Sequence, residues 1–129
     1  MKISQVLMIL TVVFVQRSFA ATDCNNEEHY PIVSKTELTQ LVNSKTAFVI
    51  DVNGEESFKS SHVQGAVHFS EVEKKFASVL PADKNALIVA YCGGPQCTAW
   101  KKAAAKACEM GYTNIKHFKD GISGWNKKS

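Results

Sequence analysis

Largely apolar runs alternate with mixed segments along the chain, and this alternation predicts strands and helices in turn. The runs 47–52 and 87–91 are typical of strands that are buried on both faces of a sheet. Two shorter runs, 66–69 and 115–118, predict two more strands. Because helical segments separate these runs, the pattern predicts an α/β domain with a central, mainly parallel sheet and helices on both faces.

The predicted helices have recognisable ends. Ser34 and Glu37 form a capping box that begins a helix ending near Asn43. Pro81 and Gly111 are stop signals for two later helices. The later predicted helices are 55–60, 70–80 and 96–110, followed by a terminal turn over 121–125. The helix over 96–110 has a face suited to close packing on a sheet, made of Trp100, Ala103, Ala104, Ala107 and Cys108.

The beginning of the chain has the pattern of a targeting segment. Lys2 is followed by an apolar stretch over 6–15 and by small residues around Ala20. This stretch is shorter than the ~20 apolar residues that span a bilayer. We therefore expect a signal peptide over 1–20, and an exported protein, periplasmic or secreted, with no stable membrane insertion after processing.

The remainder has the length of one domain, and its charge limits its partners. We expect a flexible N-terminal segment over 21–30 and a single domain over 31–129. Loss of Lys2 and Arg17 leaves the rest of the chain near charge balance, which argues against nucleic acid or an anionic membrane as partner. Arg17 is the only arginine in the sequence, so lysine or backbone N–H groups must hold any anion that the domain binds.

Four cysteines lie beyond the signal peptide, at positions 24, 92, 97 and 108. An even count in an exported protein permits disulfides, with three pairings open, but uneven spacing and sufficient chain length argue against a structural framework. We expect Cys108 to be an inert, buried residue and Cys24 to lie in the flexible tail, free or paired with another chain. The Cys92–Cys97 spacing is too long for a zinc half-site, so no metal is expected.

The candidate reactive residue is Cys92, at the end of the strand 87–91. A glycine-containing loop follows it and leads into the helix over 96–110: Gly93, Gly94, Pro95, Gln96, Cys97 and Thr98. Backbone N–H groups of such a loop converge on one point, which lowers the pKa of a thiol there and makes the thiolate available. Asp51 lies near the end of another predicted strand, where a carboxylate more often braces a loop than acts as a base.

Several segments, in this order, resemble parts of the rhodanese-like domain. They are Asp51-Val52 with Glu56-Ser57-Phe58, His62 to Phe69, Tyr91-Cys92 with the loop, Gly111 to Ile115, and Asp120 to Trp125. The resemblance covers about 31–127 and implies a sulfurtransferase that needs no metal or organic cofactor. It implies that Cys92 carries sulfur as a persulfide from a donor such as thiosulfate to cyanide or a thiol. Residues 93–98 would hold the anion, with Asp51 and Lys101 in support.

The sequence departs from this family pattern at several positions. Pro95 and Cys97 occupy positions where the family often has glycine and arginine, so anion recognition must rely on backbone donors and lysines such as Lys101, Lys102 or Lys119. Asn53 and Ser61 also replace family residues. A short loop without arginine argues against phosphatase or arsenate chemistry.

Cys97 keeps other functions open. It could attack a persulfide on Cys92 and release sulfide, or form a disulfide with Cys92, which would make the domain a thiol–disulfide redox protein with a redox partner. It could also merely fill a helix position, and the domain could be a noncatalytic binding module. For His62 and His68 we expect contacts to loop backbone, for Tyr91 a packed phenol, and for Trp125 a core position.

Overall fold

The central element of the fold is an all-parallel sheet of four strands in the order β2-β1-β3-β4. A computed structural model describes residues 11–15 and 22–128. The strands are β1 (Phe48–Asp51), β2 (Val67–His68), β3 (Ile88–Tyr91) and β4 (Ile115–His117). Each of the four predicted strands is present, one or two residues shorter than its apolar run, and the α/β fold class is confirmed.

Six helices connect or follow these strands in the described part of the chain. They are α1 (Lys35–Ser44), α2 (Glu55–Ser60), α3 (Phe69–Val72), α4 (Phe76–Val79), α5 (Trp100–Glu109) and α6 (Gly121–Asn126). Short 3-10 turns cover Glu27–His29 and Glu73–Lys75. The Ser34 Oγ accepts the Glu37 N–H at 3.1 Å, as its predicted cap position requires. Lys45 ends α1 in the left-handed conformation, with φ 55°.

Three predicted segments are wrong in detail. The single helix over 70–80 is instead α3, a 3-10 turn and α4, because the backbone at Lys75 leaves helical angles (φ −118°, ψ 26°). The helix predicted from 96 begins at Trp100, since the preceding residues form the loop that holds the Cys92–Cys97 bond. The terminal turn is a short helix, α6, whose first residues bond to that loop.

Alternating strand residues divide the core between the two faces of the sheet. One face carries Ile50, Ile88 and Ala90, packed with Phe69, Phe76, Trp100 and the small residues of α5. The other carries Val49, Val89 and Tyr91, packed with Val33, Leu38 of α1, Phe118 and Trp125 of α6. Helices thus cover both faces, and Trp125, for which a core position was predicted, is only partly buried at the edge of the second cluster.

Two disulfides are present, which the sequence analysis did not favour. The clasp disulfide joins Cys24 to Cys108 of α5, 84 positions apart, with a Cα–Cα distance of 5.6 Å. The predictions of an inert Cys108 and an unpaired or intermolecular Cys24 are therefore wrong, because the segment after Thr22 folds back onto α5 and brings the two cysteines together. The loop disulfide joins Cys92 to Cys97, with a Cα–Cα distance of 6.2 Å.

The predicted signal peptide and its cleavage site lie mostly in 1–10 and 16–21, outside the described residues. Residues 11–15 have no regular secondary structure and are exposed. No helix in the described ranges is long and apolar enough to cross a membrane.

Candidate active site

The candidate site lies where β3 ends, at the carboxyl edge of the sheet, the edge at which α/β proteins place their ligands. Cys92 directly follows β3, and the loop over 93–98 leads to the first turn of α5. The predicted loop residues are contiguous here and surround one side of Cys92. Asp51 ends β1 on the neighbouring strand, paired in register with Tyr91.

Backbone hydrogen bonds from α6 fix the start of the loop. The Ile122 N–H donates to the Cys92 carbonyl at 2.9 Å, and the Ser123 N–H donates to the Gly93 carbonyl at 3.0 Å. Gly121 has φ +62°, and a Cβ there would lie 2.6 Å from backbone atoms of 92–94. Only glycine therefore allows α6 to approach the loop this closely.

The same bonds turn the loop carbonyls away and leave loop N–H groups available. Within the described residues, four of these N–H groups donate to no protein acceptor, those of Gly93, Gly94, Gln96 and Thr98, and neither does that of Ala99, which follows the loop. The Cys97 N–H donates to the Gly94 carbonyl at 3.1 Å, which keeps the loop tightly turned. A loop with fixed carbonyls and unpaired N–H groups can stabilise a small anion or a thiolate.

The Cys92 sulfur is buried and covalently engaged. Cys92 is 2% exposed, and its sulfur is bonded to that of Cys97, which is partly exposed at the mouth of the loop. We expected this sulfur to lie at the centre of the loop N–H groups. In the described structure, where it is bonded to Cys97, no N–H donates to it, and Cys92 packs instead in the buried core cluster on one face of the sheet.

A buried polar network lies beneath the loop. The Tyr91 hydroxyl donates to one Asp51 oxygen at 2.5 Å and accepts the Val63 N–H at 2.9 Å. The Asn53 N–H donates to the other Asp51 oxygen at 2.7 Å. Burial raises the pKa of Tyr91 well above its usual range, and the hydrogen bond to Asp51 raises it further. Asp51 is fully buried and braces its neighbours, and the Tyr91 phenol is hydrogen-bonded rather than merely packed.

Two histidines bond to backbone near the site: His68 to loop backbone, as predicted, and His62 to a carbonyl of α2 instead. A ring nitrogen of His62 bonds to the Phe58 carbonyl at 2.7 Å, and the His68 Nε2–H donates to the Asn53 carbonyl at 2.7 Å. The buried Asn53 Nδ2 has no hydrogen-bond partner in the described structure. The Asn53 Oδ1 lies 3.6 Å from the position of a Cβ on Gly93. A side-chain amide thus faces the loop where the family pattern has arginine.

A cleft of about 420 Å³ opens beside Cys97. Its lining includes side chains from the N-terminal segment, the loop, the start of α5 and the end of β4 with the residues after it: Glu27, Tyr30, Cys97, Trp100, His117 and Lys119. Lys101, predicted to support the site, is ion-paired with Glu27 at this cleft. The His117 ring stacks on Trp100, with 3.5 Å between centroids. Burial lowers the pKa of His117 to about 4, and Lys119 and Lys101 act in the same direction.

Sequence reasoning missed several residues that shape this site. Glu27 and Tyr30 reach the cleft because their segment is held on α5 by the clasp disulfide, by the Glu27–Lys101 ion pair and by the contact of Tyr30 with Trp100. Gly121 lies in the segment Asp120 to Trp125, which resembles the family, but nothing in the spacing of that segment indicated a contact with the Cys92 loop. In the described part of the chain, no three histidines, cysteines or carboxylates are grouped to hold a metal ion.

Sequence comparisons connect this fold and loop to a known family. A family model described as rhodanese-like domain matches residues 34–128. The uncharacterized protein YibN of Escherichia coli K12 is 27% identical over 97 residues, covering 73% of this chain and 66%, just under two thirds, of that protein. The thiosulfate sulfurtransferase GlpE of Shewanella oneidensis is 25% identical over 96 residues, covering 74% of this chain and 91% of that one.

Solved structures are similar over the same region. The BH2092 protein of Bacillus halodurans is 26% identical, with a TM-score of 0.63, covering 77% of this chain and 72% of that protein. The human single-domain sulfurtransferase TSTD1 is 23% identical, with a TM-score of 0.59, covering 77% of this chain and 98% of that one. The second likeness is one of fold alone.

Proposed function

Because this chain belongs to the rhodanese-like domain family, we propose that it is a sulfurtransferase that carries sulfane sulfur as a persulfide on Cys92. The observation that carries the proposal is the loop itself. Cys92 lies at its base, while Ile122 and Ser123 fix its carbonyls and its N–H groups stay available. Such fixed donors stabilise the Cys92 thiolate and, after reaction, the persulfide anion.

The proposed reaction begins with the reduced loop. The Cys92 thiolate attacks the outer sulfur of a donor such as thiosulfate, an S–S bond forms on Cys92, and sulfite leaves with the electrons of the broken bond. The outer sulfur then passes to a thiophilic acceptor, cyanide or a thiolate, and Cys92 leaves again as thiolate. The backbone donors and Lys119 at the cleft would favour small sulfur-containing anions, since the loop contains no arginine.

The two disulfides support a further part of the proposal, that the protein works outside the reducing cytosol. The predicted signal peptide agrees with an exported protein, periplasmic or secreted. Comparing the mass of the protein purified from the cell envelope or medium with that of the full chain tests this. A shortened chain starting after Ala20 is the expected result, and a full-length, cytosolic protein would contradict it.

The loop disulfide favours one second candidate, a thiol–disulfide redox protein that uses Cys92 and Cys97. The mass of the reduced protein before and after thiosulfate, with cyanide as a chase, separates the two. Gain of one sulfur atom on Cys92, removed by cyanide and absent in C92S, supports the transferase. Failure of the reduced protein to take up sulfur, together with reversible cycling of the loop disulfide, supports the redox protein. If the protein shows neither activity, the remaining candidate is a noncatalytic binding module.

A further inference from the structure

We propose that Cys97 is a second catalytic residue, which resolves the Cys92 persulfide, releases its sulfur as sulfide and then receives the reducing thiol. This inference rests on the proposed function, since it needs a persulfide on Cys92. It differs from simple transfer because the sulfur leaves as sulfide and the protein becomes oxidised.

The loop geometry allows the two sulfurs to meet. The Cα atoms of Cys92 and Cys97 are 6.2 Å apart, within the range that disulfides span without backbone movement. The Cys97 N–H bond to Gly94, and the bonds from α6 to Cys92 and Gly93, fix both ends of the loop. The Cys97 thiolate is thus held within reach of the inner sulfur of a Cys92 persulfide.

The resolving step is balanced in atoms and electrons. The Cys97 thiolate attacks the Cys92 sulfur, and the Cys92–Cys97 bond forms as the bond to the outer sulfur breaks. The outer sulfur leaves with the electron pair as hydrosulfide, carrying the persulfide proton or one from water. The product on the protein is the loop disulfide that the structure contains. A dithiol reductant is then required to restore both thiols.

Burial decides which sulfur the reductant attacks. Cys92 is 2% exposed, whereas Cys97 is partly exposed and lines the cleft of about 420 Å³. The reducing thiolate therefore attacks Cys97, forming a mixed disulfide there, and Cys92 leaves as a thiolate. Loop N–H groups that donate to no protein acceptor are available to stabilise that leaving group once the bond to Cys97 breaks, and a stabilised thiolate leaves faster. The second thiol of the reductant then frees Cys97 and becomes oxidised itself.

Sulfide release from the reduced full chain tests the resolving step. Wild type, C97S, C92S and the matched control C24S/C108S are freed of reductant under anaerobic conditions and given one equivalent of thiosulfate. We expect wild type and the control to release one sulfide per chain and form the loop disulfide. C97S should keep the sulfur on Cys92 and release at least about tenfold less sulfide. C92S should do neither.

The outcomes separate this inference from the proposed function. Stable persulfide in wild type, as long-lived as in C97S, would overturn the role of Cys97 while leaving the transferase intact. No sulfur uptake by wild type or C97S would overturn the proposed function. For the entry step, oxidised wild type is treated with glutathione, quenched in acid and mapped by peptide mass. Adducts on Cys97 are expected, and adducts mainly on Cys92 would overturn the assigned direction of attack.

Discussion

The two disulfides have similar Cα separations, 5.6 and 6.2 Å, but they close chain segments of very different length. The clasp disulfide joins positions 84 apart and the loop disulfide positions 5 apart. In a chain-entropy model the first stabilises the fold by about 4–5 kcal/mol and the second by about 2 kcal/mol. One bond therefore suits a permanent structural role, and the other can break and re-form at small cost to the fold.

Their surroundings differ in the same sense. Cys108 is on a half-buried position of α5 and Cys24 is in a turn of the N-terminal segment. Cys92 lies instead at the start of a loop whose N–H groups at Gly93, Gly94, Gln96 and Thr98 donate to no protein acceptor in the described structure. The comparison indicates that the surroundings of a cysteine pair, rather than the pair itself, distinguish a structural disulfide from a reactive one.

The strongest test of this difference removes each bond separately. We expect C24S/C108S to lower the free energy of unfolding of the oxidised protein by about 4 kcal/mol, and C97S by about 2 kcal/mol or less. Urea unfolding measures both. Sulfur uptake by the reduced C24S/C108S protein should remain close to that of wild type. Equal losses of stability in the two variants would contradict the assignment of different roles.

Substitution of Gly121 tests whether the loop pair depends on the support of α6. Gly121→Ala forces a Cβ to within 2.6 Å of loop backbone at φ +62°, so we expect a loss of about 3 kcal/mol and displacement of the loop. Gly65→Ala is the matched control, because Gly65 has φ +82° but open space around its Cβ position. It should cost about 1 kcal/mol and leave sulfur uptake unchanged. Similar uptake by both variants would show that the loop does not need this contact.

The polar network beneath the loop provides a smaller effect. Tyr91→Phe leaves one oxygen of the buried Asp51 carboxylate and the Val63 N–H without a partner, so we expect about 2 kcal/mol less stability in urea unfolding. Tyr112→Phe removes a hydroxyl that bonds only to the Pro81 carbonyl and should cost about 1 kcal/mol or less. If Tyr91→Phe loses no more unfolding free energy than Tyr112→Phe, the hydrogen bond between Tyr91 and Asp51 is not essential to the fold.

The cleft that the clasp disulfide helps to form contains a group sensitive to pH. The pKa of His117 is lowered to about 4 by burial and by Lys119 and Lys101. As the pH falls below ~6.5, His117 is therefore protonated in the unfolded chain before it is protonated in the folded protein. Stability should be constant above that pH with respect to this group and fall as the pH drops toward 4. Urea unfolding at several pH values should show that the free energy of unfolding of His117→Gln falls less steeply with decreasing pH than that of wild type. The same is expected for C24S/C108S if its cleft opens to water. An unchanged slope in His117→Gln would exclude this group as the cause.

The ion pair at the cleft provides the smallest expected effect. Glu27→Gln frees Lys101 beside Cys97, so the initial rate of uptake of anionic thiosulfate should rise about twofold at low salt and not at high salt. Stability should change by less than about 0.5 kcal/mol, since surface ion pairs contribute little. Glu55→Gln, which breaks the distant pair with Lys59, is the control and should leave the rate unchanged.

Local patterns predicted the fold well and the covalent structure poorly. The apolar runs, the cap at Ser34 and the stop at Gly111 (φ +94°) act through neighbouring residues, so they could be found in the sequence. The pairing of Cys24 with Cys108 could not, because it depends on how a polar segment folds back over α5. The break at Lys75 was not predicted because Val72, Phe76 and Val79 keep helical spacing across it.

The candidate site was predicted in the same uneven way. Cys92 and its loop are continuous in sequence, and their place after β3 follows from the apolar run. The donors from Ile122 and Ser123, the position of Glu27 and the stack of His117 on Trp100 come from distant parts of the chain. Such contacts are tertiary and leave no periodic signal.

The clasp disulfide also sets an order for biosynthesis. A growing chain makes Cys24 available first, then Cys92 and Cys97, and its native partner Cys108 last. In the exported protein proposed above, Cys24 meets Cys92 and Cys97 before Cys108, and any bond it forms with them must be exchanged before the native pair can form. The bond that secures the start of the domain is therefore among the last to form.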